Sequence, residues 1–174
     1  MDTPWRSGIA RVGRRTPLLL GILLVTGLGA PEPARAQGQV RPVIILDRRD
    51  LVFGNVFVGV PRVISRLDPT NSAFYRVQGQ PGAEISFTFA LPAHLTSAAG
   101  VDMTIEFAAG DAAFAPDANQ AGSVPFDPQV PFTARLSADG RAYVWLGGTV
   151  RPGPNQPAAF YEAGVVLTVA YTGN

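Results

Sequence analysis

The chain holds one histidine and no cysteine in 174 residues, and those two counts bound its chemistry. His94 as the base of a serine hydrolase triad needs a carboxylate behind the imidazole and a serine on a strained turn in front of it. No G-x-S-x-G elbow or comparable nucleophile turn occurs, so His94, which follows Leu91-Pro92-Ala93 near a strand end, reads as a solvent-exposed loop histidine. One His and no Cys also remove the usual zinc and copper ligand sets. No catalytic, cofactor or metal residue is expected, and the chain reads as a non-enzyme.

Carboxylates are the next candidates. Asp102 and Glu106 share strand parity, as a glycosidase acid and base would require, but Thr104 between them marks that face as solvated. Asp117, Asn119, Gln120 and Asp127 bring hard oxygen donors to the Ala/Pro-rich segment 108–129. Their spacing matches no calcium loop, and a polar connector is the preferred reading over a calcium site. Tyr143 and Trp145 share a strand face and offer rings that stack on sugars, so a monomeric surface module that holds carbohydrate or another envelope ligand through this pair or through the 108–129 loop is the alternative reading, although such rings more often fill the core between two sheets. The last candidate is backbone chemistry. Val40, Pro42, Ile44 and Leu46 alternate after a Gln/Gly-rich start, and an extended segment of this kind adds as a strand to a neighbour's sheet edge. Its simpler role is as the first strand of its own sheet, and Pro42 lacks an N–H in either case.

The elements that must position these residues are strands. Hydrophobic period two runs through 40–46, 51–58, 60–67, 74–77, 83–91, 101–107, 130–136, 141–150 and 163–171. Breakers separate them, among them Asp68-Pro69-Thr70-Asn71, Gly79-Gln80-Pro81-Gly82 and Asp139-Gly140. Two hairpins follow, one from Phe74 to Phe89 around the Gly79–Gly82 loop, the other from Phe132 to Leu146 around Asp139-Gly140. No helix-length window carries an apolar stripe, although 93–100 is compatible with a turn or two of helix. Eight or nine short strands at this spacing predict an all-β, antiparallel sandwich in one domain, residues 37–174.

The first 36 residues stand apart. All 14 basic residues are Arg, and Arg6, Arg11, Arg14, Arg15 and Arg35 lie there, followed from Leu18 to Ala30 by an apolar run and then by Ala34-Arg35-Ala36 before Gln37. That is the layout of a secretory signal peptide cleaved between Ala36 and Gln37. An uncleaved anchor is the less favoured reading, since the run is short for a bilayer span. Arg14-Arg15 leaves twin-arginine export beside the general route. The mature chain then has nine Arg against eleven Asp and Glu, a net charge near −2, with no basic face for nucleic acid. The expected protein is exported to the periplasm, cell surface or medium and is not an integral membrane protein after cleavage. Its expected partners are other copies of itself, another envelope protein, or carbohydrate.

Leu51-Val52-Phe53-Gly54, Val77-Gln78-Gly79-Gln80-Pro81-Gly82, Phe89-Ala90-Leu91-Pro92, Met103-Thr104-Ile105, Leu146-Gly147-Gly148-Thr149 and Tyr161 with Leu167-Thr168-Val169-Ala170-Tyr171 appear in order over about residues 46 to 174. Together they resemble a family of exported bacterial proteins, the domain of unknown function 4402 family, akin to spore-coat-protein-U-like and pilin-like sandwiches. Ala163 and the long 108–129 segment depart from its pattern. The resemblance implies an immunoglobulin-like sandwich and an exported location, and it implies no activity.

Overall fold

A computed structural model describes residues 41–173; the expected signal segment, the expected Ala36–Gln37 cleavage point and Val40 lie outside them. Thirteen strands occur among the described residues, and no helix. They are β1 (Ile44–Arg49), β2 (Arg62–Ile64), β3 (Ala73–Gln78), β4 (Glu84–Ala90), β5 (His94–Ser97), β6 (Asp102–Glu106), β7 (Ala112–Ala115), β8 (Val124–Phe126), β9 (Phe132–Arg135), β10 (Arg141–Leu146), β11 (Gly148–Arg151), β12 (Tyr161–Glu162) and β13 (Val166–Tyr171). Every pairing is antiparallel, in three sheets ordered β1-β3-β10-β7-β8, β12-β5-β6-β11-β2 and β13-β4-β9.

The alternation read from the sequence places the core. Tyr75 and Val77 on β3, and Ala142, Val144 and Leu146 on β10, meet Ile85 and Phe87 on β4, Met103 and Ile105 on β6, and Leu167 on β13. The first sheet thus forms one layer and the other two face it, the arrangement of a β-sandwich. Phe126 and Phe132 stack with ring centroids 4.2 Å apart and join β8 of one layer to β9 of the other.

Four expectations need correction. The two hairpins do not form: β3 pairs with β1 and β10 while β4 pairs with β13 and β9, and β10 pairs with β3 and β7, so the turns at 79–82 and 139–140 carry the chain from one sheet to another. Residues 51–58 form no strand; Leu51, Phe53 and Val56 still pack on the core, so the pattern marked burial without a ladder. The segment 108–129 is not one long loop, because it contains β7 and β8. β7 was hidden by its composition: Ala112-Ala113-Phe114-Ala115 is buried on both faces, which erases alternation, and Ala is a weak strand former. Residues 93–100 form β5 and a turn rather than helix.

The span 141–150 divides at Gly147, where the chain leaves one sheet and enters another. A Cβ at Gly147 would sit 2.7 Å from the Arg66 backbone nitrogen and closer still to the Ile64 carbonyl oxygen. Gly147 N–H donates to the Asp111 carbonyl at 2.8 Å, which fixes the crossing. Gly147→Ala is expected to destabilise the fold by about 2 kcal/mol through this overpacking. A urea midpoint equal to that of the parent chain would show that the crossing is not tight.

Candidate functional site

Two strand edges lie side by side along one flank. β1 ends the first sheet, β13 ends the third, and between them runs a groove of about 300 Å³ lined by Ile45, Leu46, Arg48, Tyr75 and Val165–Leu167. β1 is held on one side only, and its register against β3 slips between Ile45↔Val77 and Asp47↔Arg76. Ile44, Ile45 and Leu46 remain 45%, 39% and 43% exposed. An edge strand with a broken ladder and half-exposed apolar side chains gains less from its own sheet than a central strand does. Burial, with the Asp50 charge adding to it, raises the Tyr75 phenol pKa.

One side chain closes the end of this groove. The Tyr171 hydroxyl on β13 accepts from the Gln80 N–H at 2.6 Å and donates to the Arg41 carbonyl just ahead of β1. Gly79 makes this possible, since a Cβ there would lie 2.6 Å from that hydroxyl. The phenol therefore ties the start of β1 to the β3–β4 turn.

The structure places the candidate residues as follows. Ile44 and Leu46 lie in β1, which pairs with the chain's own β3; Ile44 stands opposite Gln78, and Leu46 falls at the register slip without a partner of its own. Tyr143 and Trp145 are only 9% and 3% exposed and form a small second cluster with Ala115 and Phe74 on the outer face of β10. A sugar-stacking site needs an open ring face, so this pair acts as packing in the folded chain. His94 is exposed, though on the first residue of β5 rather than in a loop. Asp102 accepts from the Thr96 hydroxyl at 2.7 Å, and Glu106 pairs with Arg151 at 2.7 Å. In the 108–129 segment, Asp117, Asn119 and Asp127 accept bonds from the amides of Asn119, Gly122 and Gln129. Among the described residues no three His, Cys, Asp or Glu side chains gather around one point.

Sequence reasoning missed a polar knot at the foot of the first sheet. Ser72 is fully buried. Its hydroxyl donates to the Asp68 carbonyl at 2.5 Å and accepts from Gln120 at 3.2 Å and Arg49 at 3.3 Å. Asp68 itself caps Thr70 and Asn71, and these bonds, led by the Asn71 side chain, hold its carboxyl below the ordinary 3.8. Gln120 and Ser72 stand 48 residues apart, so only the fold could reveal them.

No family model matches this chain, and neither a curated protein nor a solved structure does.

Two outcomes follow from these contacts. Tyr171→Phe is expected to lower stability by about 1 kcal/mol and to speed hydrogen exchange at the Gln80 amide, leaving exchange in β10 unchanged; equal exchange at Gln80 would mean that the phenol does not hold the turn. Because the folded-state pKa of Asp68 is depressed, its contribution is present above the unfolded value and is lost as pH falls through the folded one. Asp68→Ala should therefore have a shallower fall of urea midpoint than the parent chain below roughly pH 4, and parallel curves would deny Asp68 that role.

Proposed function

We propose that this chain is a non-enzymatic structural component of the bacterial cell envelope or surface, exported by its N-terminal segment, whose copies associate by exchanging β1. The observation that carries this reading is the interrupted pairing of β1 with β3 at an open sheet edge. A neighbour's Ile44–Arg49 can take the same place, between β3 and β13, and repeat every contact of the intramolecular strand, so exchange costs no native interaction. The resemblance to exported pilin-like sandwiches agrees with it. A carbohydrate-binding role through Tyr143 and Trp145 is not adopted, because both rings are buried.

The absence of cysteine makes a direct test clean. Ile44 and Gln78 are register partners, and opposed antiparallel residues lie about 4.5–5.5 Å apart at Cα, within reach of a disulfide. The parent chain, exported and run unboiled in detergent, is expected to give a heat-sensitive ladder. Ile44→Cys/Gln78→Cys oxidised as a dilute monomer, before assembly, should stay a single monomer band and recover the ladder when reduced; oxidised after assembly, its ladder should survive boiling until reductant is added. A parent chain that is monomeric before boiling, or a ladder formed by the chain oxidised as a monomer, would sink the proposal.

A further inference from the structure

A second feature lies away from the groove. Between Asp50 and Arg62 the sequence runs eleven residues, Leu51 to Pro61, without a charge. Leu51, Phe53 and Val56 anchor this loop to the core from beneath. Its tip is a tight turn in which the Val60 N–H donates to the Phe57 carbonyl at 3.0 Å, with Gly59 at a φ of 70°. That turn holds Phe57 75% exposed, and Val58, Val60 and the neighbouring Val63 of β2 are each more than half exposed. An apolar display fixed by an ordered turn is presented to something rather than left loose.

We infer that the turn Phe57–Val60 seats in the outer part of a lipid leaflet, with Arg62 at the level of the phosphates. Two observations choose lipid over a protein partner. The display is small: with Val52, five exposed apolar side chains stand here, whereas a stable protein interface engages about 20–30 residues a side. The depression that Phe57, Val60 and Val63 line holds about 200 Å³, less than the about 300–1,000 Å³ of a ligand pocket. A few apolar side chains below the headgroups, with an arginine reaching the phosphates, suffice for reversible membrane attachment. The charge pattern agrees. Arg62 is exposed, the whole tip is free of carboxylates, and Asp68, the next acid along the chain, is engaged with Thr70 and Asn71. This inference does not rest on β1 exchange.

The test is co-sedimentation of the exported chain with vesicles of phosphatidylcholine, with and without phosphatidylglycerol. The oxidised Ile44→Cys/Gln78→Cys chain is run in parallel, beside vesicle-free controls, so that polymers pelleting alone are not taken for binding. The parent chain is expected to pellet with vesicles, and Phe57→Ser/Val58→Ser to lower its partition about tenfold. Arg62→Gln should lower it about fivefold on the anionic vesicles and little on the neutral ones. Both sites are exposed, so unchanged thermal midpoints are expected and confirm folding. The inference fails if the parent chain stays in the supernatant on both vesicles or if Phe57→Ser/Val58→Ser partitions like the parent. It fails equally if the double variant abolishes a larger species seen by sedimentation velocity without lipid, since the turn would then contact protein.

Discussion

The aromatic stack across the sandwich is the interaction on which the rest depends. Phe87 and Phe132 from the β13-β4-β9 sheet interleave with Phe114 and Phe126 from the first sheet, with centroids between 4.2 and 6.3 Å apart. A chain without disulfides must hold its layers by burial alone, and four rings supply a large apolar area in a geometry that fixes layer spacing. The stack also recruits the two least regular strands. β8 is three residues long and contains Pro125, yet Phe126 anchors it; β9 follows Pro131 and is anchored by Phe132.

Three open sheets leave six edges, and the chain treats them differently. β2 and β12 are short, β8 carries a proline, and β9 ends in Arg135 beside Glu84. These are the usual guards against edge-to-edge pairing. β1 is guarded over Arg48 and Arg49 but not over Ile44–Leu46, and β13 has six residues with neither charge nor proline. The two weakly guarded edges are the two that face each other across the groove. Each partly shields the other, and β1 is therefore both a plug for the flank and the element whose replacement by an identical strand changes the least.

Much of this was legible. The strands flanking Gly79–Gly82 and Asp139-Gly140 and the solvated face of Asp102 and Glu106 follow from parity and turn chemistry, and the fold class follows with them, but the partners do not: across both turns the chain changes sheet instead of closing a hairpin. What failed did so where parity carries no information. At Ala112–Ala115 both faces are covered, so nothing alternates. At Leu51–Val58 one face is covered by the core, yet no ladder forms beyond the Val52 N–H donating to the Asn71 carbonyl at 2.9 Å, and side-chain pattern cannot report a missing ladder. The flank groove was only half visible: the segment holding Ile44 and Leu46 could be named, but its neighbour β13 and the Tyr171 tie lie some 130 residues away along the chain.

β10 shows how the fold fixes a register that its own sequence leaves open. Ala142, Val144 and Leu146 face the main core while Tyr143 and Trp145 face the second cluster, so a one-residue slip would exchange one apolar face for another. In a half-exposed strand the slip would be punished by polarity; here that penalty is small. The ends supply the constraint. The Gly79 amide donates to the Gly140 carbonyl at the entry, and the Gly147 amide donates to the Asp111 carbonyl at the exit. Both glycines stand where a side chain would strike backbone, Gly140 against Gly79 and Gly147 against Ile64 and Arg66. A slipped strand would bring Arg141 or Leu146 into those close approaches. The register of the most buried strand is thus enforced by two positions that admit only glycine, which leaves Tyr143 and Trp145 free to be apolar without making the strand ambiguous.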